Sequence, residues 1–279
     1  MKTLLITGGS GFIGRNLKEY FNDTYNVLSP SHQELDLLSE QSVYDYFHTH
    51  NINYVIHCAA TGISRKKKIK NIVTDNTRMY FNLTTHGIFE HMYHMGSGAE
   101  YDKSQPICKV SEDDFGYSIP KDDYGYSKYL ISKSTTDRRC TTLRLFGVFG
   151  KYEDCSRRFI SNSIIKNILG QPIIINQNVV FDWIYINDLT KILSLFIGSP
   201  PSEYPVYNVT PTESVDLLTI ANLINKQSKN KSEIIIKNKG MSHEYTGDNS
   251  RLMKRFKNPI IFTPMKNAIS ELIQYYERL

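Results

Sequence analysis

The chain has 279 residues, 40% of them apolar and 22% charged, with a formal net charge of +5. That is enough for one large domain or one and a half with a substantial buried core, and it excludes a disordered or fibrous chain. The mild basicity suits an anionic small substrate and is too weak to argue for nucleic acid.

Short apolar runs alternate with longer amphipathic ones. TLLIT (3–7) reads as a buried strand, the glycine stretch TGGSGFIG follows it, and 12–22 reads as a helix. A second strand is expected at 25–28, a helix at 39–50 with Ser39 as N-cap, and a third strand at 54–59. HMYHMGS (91–97) is the next strand, followed by a loop, a helix from about 123 to 137, and a strand over 141–148. Strand and helix in this alternation imply crossovers and a parallel sheet covered on both faces.

Beyond residue 150 the pattern changes. Helices are expected at 158–169, 187–197, 214–227 and 264–276, with strand-like runs at 172–176, 179–186, 207–209 and 232–237. The fold class is therefore α/β: a Rossmann-type doubly wound parallel sheet over 1–150, with a smaller C-terminal α/β substrate lobe over 151–279 that returns some elements to the first domain. The apolar part of MKTLLITGG is about half the shortest signal-peptide core. No stretch approaches the roughly 18 apolar residues of a membrane span. Cys58, Cys108, Cys140 and Cys155 are scattered without a C-x-x-C pair, as reduced thiols would be. The expected location is the cytoplasm, with no membrane partner.

Gly8, Gly11 and Gly14 form G-x-x-G-x-x-G between a strand and a helix. Gly8 permits a tight turn, Gly11 lets backbone approach a pyrophosphate, and Gly14 lets the helix pack closely. The helix start offers free N–H groups to phosphate, so the backbone of Gly8, Ser10, Gly11, Phe12, Ile13 and Gly14 forms a dinucleotide cradle. The second strand ends Leu28-Ser29-Pro30-Ser31-His32, without the carboxylate that would hold an NAD ribose. Ser29 and Ser31 there would tolerate a 2′-phosphate, which favours NADP(H); NAD(H) stays open, because an acidic residue could come from elsewhere.

Tyr124 and Lys128 in YGYSK share one helix face. A phenol titrates near pH 10, and a neighbouring ammonium would pull it toward neutrality as a proton donor. TGGSGFIG, the HCAA strand end at 57–60 and YGYSK together resemble the extended short-chain dehydrogenase/reductase family, whose members include NAD(P)-dependent nucleotide-sugar epimerases, dehydratases and reductases. LRLFGVFG (143–150) and FDWIYINDL (181–189) resemble further landmarks of that family. The resemblance implies that Tyr124 is the proton donor/acceptor, that Lys128 lowers its pKa and holds the nicotinamide ribose, and that Ser97 bonds the substrate oxygen beside Gly98. It also implies Asp36 and Leu37 by the adenine, Ala59 and Ala60 beside the cofactor, and Asn76 in the mid-sheet helix. A homodimer is expected by analogy.

Within the family, 4,6-dehydratases place an Asp-Glu pair after the hydroxyl residue, where this chain has Gly98 and Ala99; Glu100 comes one place late. The branch that epimerises before reducing uses a Cys and a His, at positions matching Ala99 and approximately Arg158. Ketone reduction remains. The expected reaction is NADPH-dependent reduction of a nucleotide-activated 4-keto-6-deoxy sugar, in deoxysugar biosynthesis for surface polysaccharide. The alternatives are a 4-epimerase retaining NAD and a cofactor-sensing protein without chemistry. Arg157, Arg158, Lys166 and Arg251 are candidates for the nucleotide diphosphate, since guanidinium forks suit phosphate.

Two departures from the family pattern stand out: Phe181-Asp182-Trp183 replaces R-D-F, losing an arginine that commonly meets a substrate phosphate, and Gly147 replaces an Asn. RKKKIK (65–70) reads as a solvated loop or helix start. No metal site is expected, since His91 and His94 fall on opposite strand faces. Cys108 has no histidine partner that would make it a nucleophile.

Overall fold

A computed structural model describes residues 1–62, 70–135, 139–201 and 203–279; most of RKKKIK lies outside them. In chain order the elements are β1 (Thr3–Thr7), α1 (Phe12–Phe21), β2 (Asn26–Leu28), α2 (Glu40–Thr49), β3 (Tyr54–His57), α3 (Ile72–His86), β4 (His91–Ser97), β5 (Ile107–Val110), α4 (Asp123–Ser134), β6 (Cys140–Leu145) and β7 (Gly147–Phe149). There follow α5 (Phe159–Ile168), β8 (Ile173–Asn178), β9 (Val180–Phe181), β10 (Trp183–Tyr185), α6 (Ile186–Ile197), β11 (Val206–Val209), β12 (Val215–Asp216), α7 (Leu217–Gln227), β13 (Ile234–Met241), β14 (Tyr245–Gly247), α8 (Ser250–Arg255) and α9 (Met265–Glu277).

Among the described residues the main sheet has six strands in the order β11-β6-β4-β3-β1-β2, all parallel. The order reverses beside β1, where β2 lies on one side and β3 on the other, and ligands of open α/β sheets bind at such a switch point. The expected doubly wound α/β fold is the one observed.

Side chains alternate between the two faces with the period of a strand. Leu4 and Ile6 face one core with Leu17, Phe21, Leu189 and Phe196. Leu5 faces the other, with Val43, Phe47, Met79, Leu83 and Ile131. His94 packs edge-on against Tyr80 of α3, while His91 tilts against Tyr93, so the two imidazoles occupy opposite faces. Ser39 caps α2, accepting from Ser42 N at 3.2 Å.

The strand expected over 141–148 divides at Phe146. β6 stays in the main sheet, whereas β7 pairs with β10. Around the site, β12, β9, β14 and β5 form a second small sheet. β5 and β14, reading ICKV and YTG, are too short to show a period, so their pairing was not legible in the sequence. Elsewhere α5, α7 and α9 pack together, and β13 runs parallel to β8. Among the described residues no helix is long and apolar enough to cross a membrane.

Candidate active site

The loop from β1 to α1 forms a tight cradle. Gly8 has φ of +67°, and a Cβ there would lie 2.8 Å from Ala59 N, so the loop rests on the second residue beyond β3. At Gly14 a Cβ would lie 2.4 Å from the Gly8 carbonyl. Gly11 caps α1 with extended backbone and no side-chain bond to the first turn. The helix start therefore keeps N–H groups for an anion beyond Ser10, which is exposed, and alongside the half-buried Phe12 and Ile13. This geometry fits the pyrophosphate of a dinucleotide.

The Ser29 hydroxyl packs against Gly9 at the end of β2. The next stretch holds a carboxylate after all. Glu34 Oε2 accepts from Ser31 N at 2.7 Å, and that bond holds its carboxyl below the usual range. Ser31 and Glu34 bond each other reciprocally across a turn, with Glu34 N donating back to Ser31 Oγ at 3.4 Å, and this S-x-x-E spacing is the signal that could have located it. Asp36 turns back on its own chain, accepting from Leu38 N at 2.9 Å. Leu37 is buried, and its carbonyl accepts from Asn82.

Ala59 donates to Thr7 Oγ1 at 3.3 Å, and Ala60 is exposed beside it. Asn76 lies in α3. Its amide bonds the backbone of Thr61 in both directions and donates to Ser127 Oγ at 2.9 Å. Buried and bonded to these groups, it braces the loop after β3 against α4.

Tyr124 lies in the first turn of α4, which Asp122 caps by accepting from Gly125 N at 2.9 Å. Lys128 follows one turn later and is 3% exposed. Its Nζ donates to Met95 O at 2.7 Å and stands 3.4 Å from His94 Nε2. Burial lowers the amine to about 8. Burial, together with the Lys128 charge, lowers His57 to about 3 and pushes His94 well below its ordinary value. Burial raises the Cys58 thiol to about 12, with the Lys128 charge opposing it. Lys128 therefore reaches electrostatically to the end of β3, next to the cradle.

The Tyr124 phenol is raised by burial, with the Ser97 hydroxyl and the Arg158 charge opposing the shift. The Lys128 ammonium turns toward β4, 6.0 Å from the Tyr124 ring centroid, and Arg158 is the cation that acts on the hydroxyl. A phenol so placed stays protonated at neutral pH and is stocked as an acid.

Ser97 ends β4 and starts a 3-10 turn, Gly98–Tyr101. Its hydroxyl accepts from Ala99 N at 3.1 Å, and its own N–H donates to Glu100 Oε1 at 2.9 Å. Glu100 is wholly buried, bonded by Arg144 Nε at 2.6 Å and Ser132 Oγ at 2.5 Å. The segment is a 3-10 turn and not an extended run, and Glu100 is held by these bonds while its charge still bears on Tyr124 and Lys128. Arg144 also donates to Tyr101 Oη at 2.7 Å. This buried pair, unforeseen from sequence, holds the backbone of Ser97.

The four basic candidates do not gather. Arg158, exposed at the start of α5, acts on Tyr124. Arg157 faces Asp154 at 3.9 Å. Lys166 lies in the last turn of α5, about 12 Å further along the helix at 1.5 Å per residue. Arg251 is occupied elsewhere: it pairs with Asp113 at 2.6 Å and Glu112 at 3.6 Å and stacks on Tyr204. These residues line a separate cavity of mixed charge.

The two departures from the family pattern explain each other. A Cβ on Gly147 would lie 2.6 Å from the Asp182 carbonyl and 3.0 Å from the Trp183 ring. The indole occupies the space an Asn side chain would need. Asp182, fully buried, ties the region together by accepting from Thr210, Ser214 and Gly247 N.

Residues 4–210 match the model of the NAD dependent epimerase/dehydratase family. The chain belongs to that family. It is 24% identical to a GDP-L-fucose synthase of Dictyostelium discoideum, over 99% of this chain and 95% of that one. It is also 24% identical to a GDP-L-colitose synthase of Yersinia pseudotuberculosis, over 60% of each chain; the match thus spans less than two thirds of that relative. A GDP-D-glycero-L-gluco-heptose synthase from Campylobacter jejuni, solved in the presence of NADPH, shares the fold with a TM-score of 0.84 at 15% identity, covering 99% of this chain and 98% of that one.

Proposed function

We propose that this family member reduces the keto group of a nucleotide-activated 4-keto-6-deoxy sugar with NADPH. The observation that carries the reading is the meeting of the Ser97 and Tyr124 hydroxyls, one helix turn from a buried lysine whose charge reaches Cys58, next to the glycine cradle. Relatives named as GDP-sugar synthases, and a structural neighbour solved with NADPH, support the substrate class and the cofactor.

The cradle at Gly8, Ser10, Gly11, Phe12, Ile13 and Gly14 would hold the pyrophosphate, Ser29 and Ser31 the 2′-phosphate end, and Lys128 the nicotinamide ribose. The reduced nicotinamide supplies a hydride when bound. The chain's own part is with protons and charge. Ser97 donates a hydrogen bond to the carbonyl oxygen, which becomes more basic as the carbon is reduced. Tyr124 gives its proton to that alkoxide, and the resulting phenolate faces the Arg158 charge until solvent restores the proton.

Residues 1–150 are the proposed cofactor domain and 151–279 the substrate lobe, with β11 returning to the main sheet. Apolar side chains exposed on α3 and α4, Phe81 and Tyr126, support a homodimer through those helices. A reaction joining NADPH to an activated sugar belongs in the cytoplasm.

The test is NADPH oxidation against GDP-, CDP-, dTDP- and UDP-linked 4-keto-6-deoxyhexoses. One of them should be consumed, and Tyr124→Phe should lower that rate about 10²–10⁴-fold with NADPH binding retained. No consumption with any sugar sinks the reading. Purified protein carrying stoichiometric, non-exchanging NAD would mark a 4-epimerase instead.

A further inference from the structure

A second phenol stands at the reaction centre. Tyr245, on β14, is 8% exposed, and its hydroxyl interacts with the Ser97 hydroxyl and feels the Tyr124 phenol. A Cβ on Gly98 would lie 2.7 Å from that hydroxyl, so Tyr245 Oη sits directly over the residue following Ser97.

The ring belongs to an aromatic group drawn from three elements. Phe146 lies 5.2 Å from it between ring centroids and Phe181 4.9 Å, and Trp183 stacks on Phe181 at 5.3 Å. The rings are seated directly against glycines, whose missing side chains give them room. A Cβ on Gly247 would meet the Phe146 ring at 2.4 Å, one on Gly98 would meet it at 2.8 Å, and Gly147 lies under the indole. Phe146, Phe181 and Trp183 are only half-buried, and the Trp183 indole N–H is buried without a partner among the described residues. Half-buried aromatic faces and an unsatisfied indole donor in the group that reaches Ser97 are features of a surface shaped for a ligand, since buried polar groups are otherwise paired. Aromatic faces with a few hydroxyls at one end suit a sugar ring, apolar on its C–H face and polar at its rim.

We propose that Tyr245 contacts the sugar directly, its hydroxyl joining those of Ser97 and Tyr124 as the third donor that orients the reacting ring, with Phe146 beneath it. This rests on the ketoreductase reading above. The reaction consumes a single proton, which Tyr124 supplies, so Tyr245 keeps its own and serves as O–H throughout. The role is orientation and recognition of the sugar, distinct from binding of the nucleotide.

Trp183 is the only tryptophan in the sequence, so its fluorescence reports this group of rings. The experiment titrates NADP⁺-saturated protein with each nucleoside diphosphate and with its 4-keto-6-deoxyhexose ester, in the wild type and in Tyr245→Phe. The wild type should bind one ester more tightly than the bare diphosphate. Tyr245→Phe should lose about tenfold of that increment, the worth of one hydrogen bond, with affinity for the bare diphosphate and for NADP⁺ unchanged. In turnover, kcat/KM should fall at least tenfold. Gly98→Ala, which displaces the same hydroxyl, should reproduce the loss.

Equal increments in wild type and Tyr245→Phe overturn the proposal, as does a wild type that does not distinguish ester from diphosphate. Loss of NADP⁺ affinity in step with the sugar would show a merely structural ring and also overturn it. Absence of NADPH oxidation by the wild type, with the increments as expected, defeats the reductase reading and leaves Tyr245 as a sugar contact.

Discussion

Lys128 carries the sharpest consequence of burial. An amine lowered to about 8 is charged below that pH and neutral above it. If the cation is needed to hold the ribose, kcat/KM should fall as pH rises through about 8 in the free enzyme. Lys128→Arg keeps its charge over the whole range, so the surviving rate should lose that alkaline limb. A pH profile of both proteins measures this, and an unchanged limb in the arginine variant would assign it to another group. Glu34 offers a second test at the same scale. Its carboxylate sits on Ser31 N, beside the position proposed for a 2′-phosphate. Like charges repel, so Glu34→Gln should lower the KM for NADPH several-fold and leave that for NADH nearly unchanged. Steady-state kinetics with both cofactors decide it.

Among the elements, β4, the turn after it and β6 are joined by the buried pair of Glu100 and Arg144, whose side chains are 0% and 2% exposed. Removing one partner of such a pair leaves an uncompensated charge and costs about 3–5 kcal/mol. Arg144→Met should cost that much in denaturant unfolding. Because Glu100 also holds the Ser97 N–H, turnover should fall further than the loss of folded protein explains. Adding Glu100→Leu should recover part of the stability, since no charge is then left unpaired, and not the turnover. A similar dependence between elements joins β7 to β10, where the indole of Trp183 lies over Gly147.

Over the whole molecule, the proposed cofactor site is assembled from pieces distant in sequence: the loop after β1, the end of β3 and the second turn of α4. A ligand that binds only when these are together stabilises the folded state by mass action, by about 2.7 kcal/mol at one hundred times its Kd. Saturating NADPH should therefore raise Tm by several degrees, and more than NADH does. Scanning calorimetry or dye-monitored melting measures the shift, and no rise at any NADPH concentration would count against the cradle as a dinucleotide site.

The local pattern by itself determined the α/β order, the cradle and the Tyr124/Lys128 face, because each depends on periods of two or 3.6 residues and on short glycine spacings. What only tertiary structure decided were relations across long separations: Arg144 on Glu100, Trp183 over Gly147, Asn76 as a brace and Tyr245 on Ser97. These arise where short strands from both halves meet, and a three-residue strand such as YTG carries no periodic signal of its own. The direction in which Lys128 points is likewise set across the sheet, by Met95 and His94 rather than by its spacing from the phenol.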